Sequence, residues 1–275
     1  MIVLGGNSRQ SLASLRGTLD EKLKGLSAAD CTTISGDLFA VLQSLYSAVG
    51  LRRALTDPAR DAGSKATLVQ DLYAKELSPA ALTVVIESAS LRWSSSMDLA
   101  SALEQLAIES EATAANANDA LDRVQDELFL FRRTLGENQE LRFVLGDRTA
   151  SPLGKSELIS NLLGAIADVS TVRLLAHAVA GLAGRSIDSV LEVYSDAVAD
   201  RRNRLLVLVT TRSELTVAQA ASLSQIMTKQ VGQPVHLNYQ IDPTILGGVS
   251  IRFADEMVDG TIRTRLADAG RALAI

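Results

Sequence analysis

The sequence repeats itself at an interval of 90 residues, and this repeat limits the folds open to the chain. Residues 37–110 align with residues 127–200 without a gap and share 13 of 74 positions. The shared residues include three leucine pairs: Leu38 with Leu128, Leu45 with Leu135, and Leu55 with Leu145. Most of these positions recur with the spacing of one helix face, so the pattern predicts two tandem helical bundles. The alternative is coincidental periodicity in a leucine-rich chain.

Helix boundaries support the same organisation. Ser27 and Asp30 have the spacing of a capping box, and Ser78-Pro79 and Ser151-Pro152 each place an N-cap before a proline. Further upstream the repeat interval is 91 residues, which aligns Leu12 and Leu15 with Leu103 and Leu106. We expect helices to begin near Asp98 and Asp119, and we expect residues 1–96 and 97–204 to form the two bundles.

The last 70 residues change character. Residues 204–211, 235–241 and 249–253 are β-rich or alternate between apolar and polar side chains, which is typical of strands. We expect a helix over residues 216–231, a tight turn at 258–261 and a closing helix over 262–273. The predicted fold is mainly α with a small α/β C-terminal domain: two tandem helical bundles followed by a small sheet with a β-hairpin and helices. The third domain is residues 205–275.

Composition excludes several classes of function. The chain has 27 basic and 32 acidic residues and only 4% aromatic residues, which disfavours nucleic-acid binding. A single cysteine, Cys31, cannot form an intrachain disulfide, and two histidines are too few for a usual zinc site. The N-terminus lacks the features of a signal peptide, and apolar runs are far shorter than a bilayer needs. We expect a soluble, cytoplasmic protein without a membrane span.

No catalytic group of residues emerges. Gly154-Lys155-Ser156 resembles the end of a phosphate-binding loop, but Thr149 stands where that loop needs glycine. His177 has no acid or nucleophile three or four residues away on its helix. We therefore expect no catalytic, cofactor-binding or metal-binding residues, which favours a binding or structural protein over an enzyme built on helices.

Two segments near the C-terminus carry a family signature. Residues 241–252 read IDPTILGGVSIR, with Asp242, Gly247 and Gly248, and residues 259–266 read DGTIRTRL, with Asp259 and Gly260. This pattern resembles the delta subunit of F-type ATP synthase, whose mitochondrial counterpart is the oligomycin-sensitivity-conferring protein. The family's N-terminal domain is a six-helix bundle. Residues 97–204 fit one such bundle. Residues 8–96, together with the start of the following helix, resemble the duplicated copy that some bacterial delta chains carry.

The resemblance implies a mechanical function. Family members tie the catalytic head to the b-type subunits of the peripheral stalk, so that the head resists the torque of the rotor during proton-driven ATP synthesis. The implied partners are alpha subunits of the head and b-type stalk subunits, with no cofactor, nucleic acid or direct membrane span. The implied location is the cytoplasmic face of the plasma membrane. The alternative is a helical adaptor that acts outside the synthase.

The resemblance also implies interface residues. In the family, helices one and five of a bundle form a groove for the amphipathic N-terminal helix of an alpha subunit. The matching positions of the second bundle are Leu99, Leu103, Leu106, Val172, Leu175, Ala176 and Val179. Those of the first bundle are Leu12, Leu15, Val84, Val85 and Ser88. Ile251, Phe253 and Met257 match the part that binds the stalk. For each position the alternative is ordinary core packing.

Overall fold

The computed structural model describes residues 4–212, 215–231, 235–242, 245, 248–253 and 256–259. It divides into two compact units, Met1–Ala199 and Asp200–Ile275. Eleven helices fall in or begin in the first unit: α1 (Gly6–Leu23), α2 (Ala28–Ser47), α3 (Val49–Thr56), α4 (Ala62–Tyr73), α5 (Pro79–Ser90), α6 (Ser96–Ala117), α7 (Leu121–Glu137), α8 (Gln139–Gly146), α9 (Pro152–Leu163), α10 (Val169–Ala180) and α11 (Ile187–Leu205).

The helix boundaries reproduce the sequence repeat. Helices α3, α4 and α5 begin and end 90 residues before α8, α9 and α10 respectively. Helix α6 begins 90 residues after α1, and α11 begins 91 residues after α6. Helix α6 is therefore both the last helix of the first repeat and the first helix of the second. Two six-helix sets, α1–α6 and α6–α11, share this element, while the division of the chain at residue 96 stays a prediction.

Helix α6 is the centre of the first unit. Seventeen of its 22 residues are buried, which is typical of a helix enclosed on all sides. It contacts α1, α2, α3 and α5 from the first repeat and α7 and α10 from the second. Frequent alanines on several faces let neighbouring helices approach its backbone closely. The cores of both repeats are therefore continuous through α6.

Caps fix where the helices begin. The Ser27–Asp30 capping box is present, and the side chains of Ser78 and Ser151 each accept a bond from the third residue of the following helix. The helices predicted to begin near Asp98 and Asp119 each begin two residues away from those positions. Ser95, rather than Asp98, is the N-cap of α6. Asp119 has a φ of 55°, a left-handed conformation outside the helix, so α7 begins at Leu121.

One tertiary hydrogen bond recurs in both repeats. The Asp37 carboxylate on α2 accepts from the backbone N–H of Ser78 at 2.8 Å, and the Glu127 carboxylate on α7 accepts from that of Asp168 at 2.9 Å. Each pair ties the second helix of its repeat to the start of the fifth. Burial favours protonation of Glu127, but bonds from Thr171, Asp168 and Arg123 outweigh it and lower the pKa of this carboxyl.

The second unit contains a four-stranded mixed sheet in the order β2-β1-β3-β4. Strand β1 (Leu206–Thr211) pairs in parallel with β2 (His236–Ile241) and antiparallel with β3 (Val249–Phe253), which forms a hairpin with β4 (Glu256–Asp259). Helix α12 (Val217–Val231) joins the two parallel strands. Val207, Val209 and Met227 form the core of this unit.

The predicted fold class is confirmed, including the hairpin, with one local correction. Val258 and Asp259 pair with Ile251 and Ser250, so they extend a strand rather than begin a tight turn. Cross-strand pairing here continues as far as Asp259. Residues 260 and 261 and the predicted closing helix over 262–273 lie outside the described residues.

Candidate helix-docking interface

The structure places most of the predicted second-bundle groove in the core. Helices α6 and α10 are in contact, as the prediction requires. Five of the seven predicted residues are buried: Leu99, Leu103, Leu106, Leu175 and Val179. Val172 and Ala176 are half-buried and retain exposed surface. The role of the set as partner contacts stays a prediction, since a buried leucine serves the chain's own packing first.

Helix α2 of the first repeat lies against both α6 and α10. The Ser35 hydroxyl donates to the backbone carbonyl of Ala107 on α6 at 2.8 Å. The Phe39 ring stacks on the His177 imidazole of α10, with ring centroids 4.0 Å apart and planes 9° from parallel. A helix of one repeat thus packs against the two helices that would form the groove of the other. We call this surface of α6 and α10 the second face.

The contacts between α2 and α10 extend along both helices. Near one end, the Arg173 guanidinium donates to the Thr32 hydroxyl at 3.3 Å. Near the other, the Gln43 amide approaches Gly181, where an added Cβ would lie 3.1 Å from Nε2. Residue numbers at the contacts increase along both helices in the same order, and the Phe39–His177 stack lies between the other two contacts. The helices therefore run in the same direction, and side chains of α2 between Thr32 and Gln43 reach α10 and the glycine that follows it.

Three buried glutamates on α6 pair with arginines from three other segments. Arg16 of α1 lies 2.8 Å from Glu109, Arg173 of α10 lies 3.2 Å from Glu111, and Arg185, which follows α10, lies 2.7 Å from Glu104. Each glutamate side chain is at most 2% exposed. Removing one partner of such a pair leaves a buried charge without compensation. These pairs therefore fix the position of α6 among its neighbours.

The Glu104 pair also involves the first repeat. Arg185 donates from Nη1 and Nη2 to the two oxygens of Glu104, and from Nη2 to the Tyr46 hydroxyl of α2 at 3.4 Å. Burial would lower the pKa of Arg185, but Glu104 outweighs it and raises that pKa. Burial, and then Glu104, raise the pKa of Tyr46, so its hydroxyl stays protonated at neutral pH.

A cavity of about 290 Å³ lies beside the stacked rings. Its lining includes Thr32, Gly36, Phe39, Glu111, Arg173 and His177. Burial lowers the pKa of His177 to about 4, so the imidazole is neutral at pH 7 and suits an aromatic neighbour. His177 thus serves packing between α2 and α10, in agreement with the lack of a catalytic partner in its helix.

The corresponding surface of the first repeat lies on α1 and α5. At the 91-residue interval, Glu104 and Glu111 of α6 correspond to Ala13 and Asp20 of α1, and Gly17 lies between these two. At the 90-residue interval, the contact positions 173, 177 and 181 correspond to Thr83, Glu87 and Leu91. We call these six residues the first face. All six are exposed or half-buried.

The predicted groove residues of the first bundle lie beneath this face. Leu12, Leu15, Val84, Val85 and Ser88 are all buried. Above them, the Glu87 carboxylate accepts from the hydroxyls of Ser14 at 3.2 Å and Thr18 at 2.6 Å, which joins α5 to α1. Gly17 is exposed, and an added Cβ would meet nothing within 4 Å. The backbone of α1 is therefore accessible to a docking helix at this glycine.

In the second unit, two predicted stalk contacts belong to the domain core. Ile251 and Phe253 are half-buried and pack against the cluster of Val207, Val209 and Met227. The backbone of Met257 pairs opposite Arg252, and its side chain lies outside the described part of the chain. For Ile251 and Phe253 the structure shows core packing, and a role in stalk binding stays a prediction.

The signature residues shape the chain around the hairpin. The backbone N–H of Asp242 donates to the carbonyl of Thr211 at 2.8 Å, so the end of β2 stays joined to β1. Gly248 has a φ of 86°, which glycine adopts without strain, and it directly precedes β3. Asp259 pairs opposite Ser250. Gly247 and Gly260 lie outside the described residues.

A surface that the sequence prediction missed lies between α12 and the edge strand β2. It surrounds a cavity of about 330 Å³ lined by Thr211, Leu215, Ala220, Tyr239 and Ile241. Tyr239 and Ile241 are exposed. Leu237, Tyr239 and Ile241 alternate along β2, so the sequence did carry a signal for an apolar face on that strand. We call this surface the α12–β2 groove.

The structure clarifies the remaining motifs. Gly154–Ser156 lies in the first turns of α9, behind the Ser151 cap and Pro152. Across the described residues, no three His, Cys, Asp or Glu side chains are grouped to hold a metal ion. Within the same residues, no single helix has the length and apolar character to cross a membrane. The α2–α3 pair, bent by 106°, reaches that length and composition only when both are taken together.

Comparison with known proteins agrees with the signature. Residues 100–273 match the sequence model of the family described as ATP synthase delta (OSCP) subunit. ATP synthase subunit delta of Streptomyces coelicolor is 42% identical over 269 residues, covering 98% of both chains. That of Kineococcus radiotolerans is 38% identical, covering 98% of this chain and 97% of its own.

A solved structure of the Toxoplasma gondii mitochondrial ATP synthase hexamer aligns with 61% of this chain and 97% of its own chain. Its sequence identity is 18% and its TM-score 0.29, too low to carry an argument. The family match spans more than half of the sequence, and the two bacterial relatives match almost all of it. This chain therefore belongs to the ATP synthase delta (OSCP) subunit family.

Proposed function

We propose that this chain is a non-catalytic stator subunit of an F-type ATP synthase. It binds N-terminal helices of alpha subunits in the catalytic head through its helical unit, and b-type stalk subunits through its sheet-containing unit. It acts at the cytoplasmic face of the plasma membrane as a peripheral part of the complex. Family membership supports the assignment to the synthase, and the two compact units supply one surface for each partner.

The observation that carries the helix-binding half of the proposal is the seating of α2 on α6 and α10. The seating of α2 supports the view that the first and fifth helices of a repeat, once paired, can accept a third helix. Helix α2 is held there by a hydroxyl-to-carbonyl bond and an aromatic stack, Ser35 to Ala107 and Phe39 on His177. An amphipathic helix from another subunit can use the same kind of surface.

The mechanical role follows from binding at both ends. A chain that holds the head with one unit and the stalk with the other transmits force without any chemical step. Two moderate contacts joined by one chain hold more firmly than either alone, because release of one end leaves the other bound nearby. Helix faces spread the contact over many side chains, so no single residue carries the whole load.

The stalk-binding half of the proposal places b-type subunits at the α12–β2 groove. Strand β2 is at the edge of the sheet, so its outer backbone groups are not used by another strand of this sheet. Tyr239 and Ile241 expose apolar surface beside them, and aromatic residues are frequent anchors in protein interfaces. A helical or extended end of a b subunit would bury both side chains.

The test is coupled ATP synthesis in vesicles that contain the synthase with either the wild-type chain or the Tyr239→Ser/Ile241→Ser double variant. We expect the double variant to weaken binding to isolated b subunits by about tenfold or more and to reduce proton-driven synthesis, while ATP hydrolysis by the detached head continues. Leu26→Ser, an exposed apolar residue remote in sequence, is the matched control. Normal coupling in vesicles lacking the chain altogether would refute the stator function and favour an adaptor outside the synthase.

A further inference from the structure

We infer that the duplication has left this chain with one helix-docking face instead of two. In the second repeat α2 occupies the place of a partner helix, and only the first face, on α1 and α5, remains to bind the head. This inference rests on the proposed function and specifies how many alpha-subunit helices the chain binds and where.

The second face is closed because α2 cannot leave it without unfolding the first repeat. Besides the residues that contact α6 and α10, α2 contributes Leu38, Leu42 and Leu45, which are all buried. Replacing α2 by an external helix would expose these leucines to water. Exposing buried leucine side chains to water is unfavourable, so α2 is expected to stay on the second face.

Polar contacts hold α2 in place as well. Separating it from the second face breaks the bond from Ser35 to Ala107 and the stack of Phe39 on His177. It also removes Tyr46 from the Arg185–Glu104 pair. Since Glu104 is buried, losing a polar group from its hydrogen-bond network is unfavourable. The second face is thus a packed interface between the two repeats.

The first face has the same helical framework, and among the described residues of the helical unit no helix covers Ala13 and Gly17, which are both exposed. A glycine in the middle of a helix lowers helix stability, and at Gly17 no neighbour in the described residues needs the missing side chain. The missing side chain of Gly17 would allow the backbone of a partner helix to approach α1 closely. The space that α2 fills on the second face is therefore still open on the first.

The two faces differ in charge, which indicates the chemistry of the partner. The position of His177 in the second repeat corresponds to Glu87 in the first, and that of Arg173 corresponds to Thr83. The first face therefore has a carboxylate at Glu87 where the second has a neutral imidazole, and a hydroxyl at Thr83 where the second has a guanidinium. We infer an amphipathic helix with small or apolar residues over Gly17 and a lysine or arginine opposite Glu87.

Three glycines provide a matched set of variants for the test. Gly17 lies on the first face, Gly36 of α2 borders the second, and Gly136 of α7 belongs to neither defined face. All three are exposed helical positions where an added Cβ would meet nothing within 4 Å. The full-length chain carrying Gly17→Trp, Gly36→Trp or Gly136→Trp would be titrated calorimetrically with a synthetic N-terminal peptide of the alpha subunit. Circular dichroism would first confirm that each variant is folded.

We expect the wild-type chain to bind one peptide, and Gly17→Trp to weaken binding by about tenfold or more. Gly36→Trp and Gly136→Trp should bind like the wild type. Two bound peptides per chain, or loss of binding in Gly36→Trp with normal binding in Gly17→Trp, would overturn the inference while leaving the stator function intact. Absence of binding to every protein, wild type included, would refute the helix-binding half of the proposed function and this inference with it.

Discussion

At the scale of single residues, His177 makes the joint between the repeats sensitive to acid. Burial lowers its pKa to about 4, whereas a histidine in the unfolded chain has a pKa of about 6.5. The unfolded state therefore binds the proton more readily. The stability contributed by neutral His177 is complete above about pH 6.5 and is lost as the pH falls towards 4.

We expect this residue to account for about 2–3 kcal/mol of the loss in unfolding free energy between pH 7 and pH 4.5. Urea unfolding of the wild type and of His177→Phe at both pH values measures it. The phenylalanine keeps an aromatic ring against Phe39 but has no titrating group. Between pH 7 and pH 4.5, the unfolding free energy of the variant should therefore fall by less than that of the wild type, and the difference should equal the contribution of His177. Equal pH dependence of the two proteins would contradict the prediction.

Two glycines should respond in opposite directions to alanine. Gly17 is an exposed helical residue with open space at its Cβ position, so Gly17→Ala should raise the unfolding free energy by about 0.5–1 kcal/mol. Gly248 has a φ of 86°, a conformation that strains any residue with a Cβ, so Gly248→Ala should lower it by about 1 kcal/mol. Chemical denaturation of the full chain distinguishes the two. A destabilising Gly17→Ala would indicate a neighbour at α1 that the described residues do not include.

At the scale of secondary-structure elements, the pair between Arg185 and Glu104 joins α6 to the segment after α10. Arg185→Leu should lower the unfolding free energy by about 3 kcal/mol, because Glu104 remains buried without its partner. Adding Glu104→Leu should recover a large part of this loss, since two apolar side chains need no compensation. A double-mutant cycle by urea unfolding measures the coupling. Additive losses in the double variant would mean that the two residues act independently.

Most helices were predictable from sequence because they have an apolar stripe, and several also begin at a recognisable cap. Helix α6 shows the limit of that reasoning. Its glutamates at 104, 109 and 111 have the pattern of a solvated face, yet all three are buried. Their partners, Arg16, Arg173 and Arg185, lie 62 to 93 residues away in sequence. Local periodicity contains no information about such pairing, so the buried ion pairs of α6 emerged only from the structure.

The same limit explains the outcome for the predicted groove. Leucines at helical spacing identify the buried side of a helix, and the predicted set on α6 and α10 consists mainly of such leucines. A docking surface is instead made by the less apolar positions beside them, such as Ala13, Gly17 and Glu87. Sequence gave no means to see that α2 covers one of the two related faces, because its contacts with α10 are more than 130 residues apart in sequence.

At the scale of the whole molecule, the helices of residues 4–199 should unfold together. Because α6 completes the cores of both repeats, neither repeat can keep its core after the other has unfolded. We expect one calorimetric transition for the fragment of residues 1–199, with equal calorimetric and van't Hoff enthalpies. Two resolved transitions would show that the repeats are independent despite the shared helix.

Truncation tests the same idea from another direction. A fragment of residues 97–204 should be unstable or self-associating, because the side of α6 that normally contacts α1, α2, α3 and α5 becomes exposed. Sedimentation velocity and circular dichroism measure both properties, with residues 1–199 as the control. A monomeric, cooperatively folded fragment would argue against the central role of α6.

The 90-residue spacing that relates α3–α5 to α8–α10 has a consequence for how such a chain is shortened. Truncating the chain at the border between the repeats removes helices that pack against α6 and so disrupts the core. An internal splice that joins equivalent points, such as residue 37 to residue 128, removes one full period and fuses the first part of α2 to the last part of α7. In the helical unit, the product retains six helices in order, with α1 as the first and α11 as the last. Recombination between the two halves of a gene of this kind would make the same splice, which gives single-bundle and double-bundle forms a direct route of interconversion.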